Sequence, residues 1–144
     1  MLVHQILKLK GDDSVISVKP GTKISQVAQI LAERRIGTVV ISKDGKSIEG
    51  IISERDIVRS LAVRGANCVD ESVDSMMTRN PVCCTRDDTA DDLLQQMTDG
   101  RFRHLPVVEN GVLVGIVTIG DVVKARLSEL SMESNALQGM IMGH

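Results

Sequence analysis

The chain writes one pattern twice. GIISERDIV (50–58) and GIVTIGDVV (115–123) share branched apolar residues, a hydroxyl residue, an Asp three positions on, and apolar residues again, at a shift of 65. Upstream, IGTVVISKDG (36–45) lies over FRHLPVVENG (102–111), and ISQVAQILAERR (24–35) over ADDLLQQMTDGR (90–101), both at a shift of 66. The one-residue difference falls in the second hairpin turn, where a deletion costs least. Two copies of one unit cover most of the 144 residues, so the fold follows from what one unit is.

Each unit reads in the same order. A short β run (VISV, 15–18; PVCCT, 81–85) precedes a turn at Pro20-Gly21 or Asp87-Asp88. A helix follows, its apolar residues at Ile24, Val27, Ile30 and Leu31, or at Leu93, Leu94 and Met97, spaced for one buried face. Two β-rich runs then flank a turn punctuated by Lys-Asp-Gly or Glu-Asn-Gly. A second helix starts at the hydroxyl residue, over 53–65 and 118–130. The fold class is α+β, built from two β-α-β-β-α repeats. Ser53 and Thr118 fall where a hydroxyl caps free helix N–H groups, and Asp56 and Asp121 fall in the acidic first turn. Seen in one copy, that would be a capping device and no more.

Composition narrows the function classes. One Phe, no Tyr and no Trp leave a core of Val, Ile, Leu, Met and Ala. Single-stranded nucleic acid, which stacks on aromatic rings, finds no platform here, and a net charge of −2 offers polyanions no general field. Three cysteines (Cys68, Cys83, Cys84) without a CxxC, and three His without ligand spacing, predict reduced thiols and no metal site. The start is too short and too charged for a signal peptide, and no apolar run reaches bilayer length, so a soluble, cytoplasmic protein is expected. No nucleophile elbow, acid–base pair or Gly-rich phosphate loop is present, which predicts no catalytic residue and no enzyme.

With HLPVVENGVLVGIVTIGDVV in one half and IGTVVISKDGKSIEGIISERDI in the other, the chain resembles a tandem pair of cystathionine-β-synthase (CBS) domains, a Bateman module of the stand-alone type. The resemblance places repeat 1 at 8–65, repeat 2 at 75–130 and a helical tail at 131–144. It implies repeats packed through their sheets about a pseudo-twofold axis, with adenosine-containing ligands in the clefts between them. In such a site Asp56, Asp121, Ser53 and Thr118 are the ribose positions. The chemistry suits them: a carboxylate can accept a bond from each of two vicinal hydroxyls, and a helix start favours anions.

The family suggests Val18, Thr38, Val39, Cys84, Thr85, Leu105 and Pro106 for the base, held between aliphatic walls. Arg103 and His104, with Arg55 and Lys19, are the candidate phosphate groups. Gly37 and Thr38 stand where the second copy has Arg103 and His104, and Gly120 stands opposite Arg55, so the two sites should be unequal. AMP is the expected regulatory ligand; ATP, NAD(H) and S-adenosylmethionine share the same adenosine. Apolar residues at Leu127, Leu130, Leu137, Met140 and Ile141 in the tail predict packing on the module or a second subunit, and a homodimer. The function expected is a sensor read by an unidentified protein partner. The alternative is an interaction module without a working nucleotide site.

Overall fold

The structure, a computed structural model, describes residues 1–11 and 15–141. Of the expected tail, residues 142–144 and the Ile141 side chain lie outside the described part. The elements are α1 (Val3–Lys10), β1 (Ser17–Val18), α2 (Ile24–Arg34), β2 (Thr38–Ile41), β3 (Gly50–Ser53) and α3 (Glu54–Arg64). Two 3₁₀ turns (Ala66–Asp70, Val73–Ser75) and β4 (Thr78–Arg79) follow, then α4 (Ala90–Gly100), β5 (His104–Glu109), β6 (Val112–Thr118) and α5 (Ile119–Ile141). The order α-β-β-α recurs at the predicted shift, and the α+β class is as expected.

The chain divides into two compact units. One comprises Ser14–Val82 and Glu109–Val114; the other draws on Met1–Asp13, Cys83–Val108 and Gly115–His144. In the first, β1-β2-β3-β4 form one sheet, with β1 parallel to β2 and the other pairs antiparallel. Ile24, Val27 and Leu31, spaced at one helical face, bury against Val39, Ile41, Ile52, Ile57 and Val73. In the second unit, α4 buries Ala90, Leu93 and Met97, α5 buries Val122 and Ala125, and α1 buries Val3, Ile6 and Leu7. The β5–β6 turn is Asn110-Gly111 with φ of 52° and 77°. Two positive φ values make the tight hairpin turn that Asn-Gly favours.

The two β runs before the first helices differ. The VISV run is a strand only at Ser17–Val18, and among the described residues PVCCT (81–85) forms no strand but an isolated parallel bridge, Cys84 to Val107. The reason is one missing donor. In the first copy Val40 N–H donates to Ile16 O at 3.2 Å and Ser42 N–H to Val18 O at 2.9 Å. The second copy keeps the equivalent of the latter, Val108 N–H to Cys84 O at 2.9 Å. Val40 is matched by Pro106, which has no N–H to give.

The duplication extends beyond the sequence pattern. Glu71-Ser72-Val73 brackets the start of α2: Ile24 N–H donates to Glu71 O, Val73 N–H to Thr22 O, and Ser72 bridges Lys23. Met1-Leu2-Val3 does the same to α4: Ala90 N–H donates to Met1 O, Val3 N–H to Asp88 O, and Leu2 bridges Thr89. Residues 1–11 therefore stand to the second repeat as 71–81 stand to the first. Val3 and Val73 are both fully buried, and Leu7 and Met77 each lie over a glycine of the unit they pack on, Gly115 and Gly50. Each copy thus recruits a segment that the bounds 8–65 and 75–130 divide between a terminus or linker and the other repeat.

Candidate functional site

The hydroxyl–acid pairs sit where β3 and β6 turn into helices. In the first repeat Ser53 caps α3: Asp56 N–H donates to Ser53 Oγ at 3.3 Å, while Ser53 N–H and Oγ–H donate to Asp56 Oδ2 at 2.9 and 3.1 Å. In the second, Asp121 N–H donates to Thr118 Oγ1 at 3.1 Å and Thr118 N–H to Asp121 Oδ2 at 2.9 Å. Both are reciprocal capping boxes, with an acid at the third helical position. The box fixes one carboxylate oxygen, and in both copies Oδ1 has no hydrogen bond among the described residues. A locked carboxylate with one open oxygen, at the positive end of a helix, is a prepared acceptor for hydroxyl donors.

A second pair of bonds brings the predicted phosphate residues to the same corner. Glu54 N–H donates to Gly37 O at 2.9 Å, and Ile119 N–H to Arg103 O at 2.8 Å. The residue before β2 or β5 is thus tied to the helix start after β3 or β6. Arg103 and His104 belong to the Thr118–Asp121 corner, Gly37 and Thr38 to the Ser53–Asp56 corner. Arg103 is exposed and His104 half-buried. Arg55 is exposed on the first turn of α3, and Lys19 is exposed at the turn after β1, where its carbonyl accepts from Thr22.

The candidate base residues divide by strand alternation. Thr38 pairs with Ser53 across the β2–β3 ladder, and its Oγ1 is buried without a hydrogen-bond partner among the described residues. Val39 points the other way, into the core beneath α2, so its side chain is used up in packing and only its backbone could meet a base. Leu105 and Pro106 are buried on β5, and Val18 is half-buried on β1. Cys84 is buried, and burial, with Asp88 and Cys83 nearby, pushes its thiol up to about 12, which makes it an apolar wall rather than a nucleophile. Thr85 is exposed, and its N–H is held by Asp88 Oδ2 at 2.8 Å.

Two features escaped the sequence reading. Lys10, from α1, places its ammonium 2.9 Å from Asp121 Oδ2 and donates to Ile116 O at 3.0 Å. A concavity of about 340 Å³ is lined by His4, Leu7, Lys8, Gly11 and Arg86, none of them a predicted site residue. Both depend on α1 docking in the second-repeat unit, a long-range pairing that no local motif signals. Among the described residues no group of His, Cys, Asp or Glu is arranged to hold a metal ion.

The CBS domain family matches residues 11–63 and 73–128. The CBS-domain containing protein ATU1752 from Agrobacterium tumefaciens shares 44% identity with a TM-score of 0.84, over 88% of this chain and 99% of that one. The CBS domain protein PAE2072 from Pyrobaculum aerophilum, complexed with AMP, shares 27% identity with a TM-score of 0.77, over 92% and 99%. The CBS domain pair of protein MJ0100, in complex with 5′-methylthioadenosine and S-adenosyl-L-methionine, shares 26% identity with a TM-score of 0.78, over 90% and 98%. CBSCBSPB2, a CBS domain-containing protein of Arabidopsis thaliana, is 34% identical over 125 residues, 86% of this chain. This chain spans under a quarter of the length of that relative and of its counterpart CBSCBSPB3. Two family matches, a four-element repeat written twice and these structural neighbours agree: the chain belongs to the CBS-domain family, as a pair of such domains in the Bateman-module fold.

Proposed function

We propose that this chain is a non-catalytic regulatory module that binds an adenosine-containing nucleotide, AMP first, and passes its occupancy to a protein partner. The repeats are taken as 8–65 and 75–130, with a helical tail at 131–144. Ser53–Asp56 and Thr118–Asp121 hold the ribose. The base meets Val18 and Thr38 in the first repeat and Cys84, Thr85, Leu105 and Pro106 in the second, with Val39 offering its backbone. Arg103 and His104 take the phosphate, with Arg55 and Lys19 as lesser cations.

One observation carries the reading: each Asp is locked by its capping box through Oδ2 and keeps Oδ1 open among the described residues, twice, at equivalent places. A cap needs no second copy, and a diol site needs an open oxygen. The AMP held by the Pyrobaculum aerophilum protein, and the adenosine-containing ligands of MJ0100, support the ligand class. AMP ranks ahead of ATP, NAD(H) and S-adenosylmethionine because only the second repeat presents a basic pair beside its Asp.

The same proposal includes a homodimer and a cytoplasmic setting. Val123, Leu127 and Leu130 make an exposed apolar stripe at helical spacing along α5, and Val58 and Leu61 do so on α3. Among the described residues no helix is long and apolar enough to cross a membrane. The deciding experiment is calorimetric titration of AMP into nucleotide-stripped protein, beside Asp56→Ala and Asp121→Ala. Saturable binding weakened by either change supports the reading; loss of a charged hydrogen-bonding group should cost about 1.5–3 kcal/mol. No heat with AMP, ATP, NADH or S-adenosylmethionine makes the pairs helix caps and the chain an interaction module.

A further inference from the structure

We propose that Lys10 is an internal competitor for the sugar-binding carboxylate of the second repeat, so that a ribose diol binds Asp121 only as the last turn of α1 lets go. The inference rests on the reading of Asp121 as a ribose ligand and adds to it a displaced group and a moving element.

Asp121 Oδ2 already has two donors, Thr118 N–H and the Lys10 ammonium, each at 2.9 Å. A carboxylate has about four acceptor positions, two on each oxygen. A vicinal diol spanning both oxygens can use the open Oδ1, but on Oδ2 it needs the position that Lys10 fills. Thr118 N–H cannot be the group that yields, because it is fixed by the start of α5. Lys10 can: its charge rides on a flexible stem, with 25% of the side chain exposed.

The first repeat shows what the device is not. There the second donor to Oδ2 is Ser53 Oγ–H, a hydroxyl that can turn away and accept instead. The residue matching Lys10 is Asn80, and it makes no hydrogen bond to Asp56 among the described residues. Lys10 therefore distinguishes the second repeat from the first, independently of Arg103 and His104.

Release would be local. The start of α1 is pinned by Val3 N–H to Asp88 O at 2.9 Å and His4 N–H to Arg86 O at 3.1 Å, and its packing face ends at Leu7. In the last turn Lys8 and Leu9 are exposed, and among the described residues the hydrogen bonds tying it to the unit are those of Lys10 to Asp121 and Ile116 O. Breaking two bonds frees that turn while the helix start stays docked.

The test is calorimetry of AMP with nucleotide-stripped wild type, Lys10→Met and Asp121→Ala, with amide hydrogen exchange across residues 3–11 before and after AMP. Lys10→Met keeps the stem and removes the charge, so AMP should bind about two- to fivefold more tightly, the value of a partly exposed ion pair. In the wild type AMP should speed exchange in residues 8–11 and leave residues 3–6 protected. Unchanged or weaker binding by Lys10→Met, while Asp121→Ala still weakens it, overturns the competitor and leaves the ribose reading standing. Binding insensitive to Asp121→Ala, or absent from the wild type, overturns both.

Discussion

Thr38 stands directly across the β2–β3 ladder from Ser53, and its hydroxyl is buried with no hydrogen-bond partner among the described residues. An orphaned hydroxyl beside a helix-capping box is a cost in the free protein and a ready contact for a ligand. Thr38→Val keeps the shape and removes that cost. The free protein should become more stable by about 1 kcal/mol, read from urea midpoints. Under the nucleotide reading AMP binding should weaken at the same time, by about threefold to tenfold. A variant that is less stable, or one with unchanged affinity, would show that Thr38 serves packing alone.

How much of this was readable beforehand depends on where each interaction closes. The Ser53–Asp56 and Thr118–Asp121 boxes close within three residues, so identity and spacing were enough to foresee them. The α2 and α4 faces were legible for the same reason, since a helix declares its buried side by period. Pro106 was in plain view as a missing donor, and its effect on the 81–85 run follows from Pro chemistry alone. Where residues 1–11 and 71–81 dock was not legible. Their docking repeats a position in space rather than a motif: Val3 matches Val73, but Leu7 is matched by Met77 and Lys10 by Asn80. One segment is a helix and the other a 3₁₀ turn plus a strand. The Thr38 orphan was also hidden, because a sequence does not say which hydroxyls find partners.

The adjacent cysteines are a test of environment. Cys84 is buried with its thiol pushed up to about 12, and burial raises Cys83 as well although it is exposed. At pH 7 a thiol of that pKa is thiolate in about one molecule in 10⁵. Iodoacetamide on the folded protein should therefore modify Cys83 slowly and leave Cys84 untouched, with full labelling only in denaturant. Rapid labelling of Cys84 in the native protein, read by peptide mass, would contradict the burial described here.

Asp44 organises the β2–β3 turn. Its Oδ1 accepts from Lys46 N–H at 2.9 Å, Ser47 N–H at 2.8 Å and the Ser47 and Ser42 hydroxyls. The backbone bonds from Ser47 and Lys46, favouring the charged form, lower its pKa to about 2. A carboxyl with a depressed folded pKa contributes stability that is present above its unfolded value and lost as pH falls through the folded one. Wild type should therefore exceed Asp44→Asn at neutral pH, with the gap closing from about pH 4 downward to pH 2. Urea midpoints measured across that range check it, and a gap independent of pH would mean the turn is held by shape rather than charge.

Gly50 and Gly115 occupy equivalent places, yet their neighbours predict unequal costs of adding a methyl group. A Cβ on Gly50 would stand 2.7 Å from the Thr78 carbonyl oxygen and 2.9 Å from Met77 Sδ. The carbonyl belongs to the β3–β4 ladder and cannot step back without breaking it. The nearest atoms to a Cβ on Gly115 would be the Leu7 methyl groups, at 3.0 and 3.2 Å, the far end of a side chain that can turn. Gly50→Ala should cost about 1–3 kcal/mol as an overpacked site, and Gly115→Ala clearly less. Equal losses in urea denaturation would mean that α1 holds Leu7 as rigidly as β4 holds its own backbone. Under the Lys10 proposal that is informative in itself, because a rigid Leu7 anchors the point about which the last turn of α1 would open.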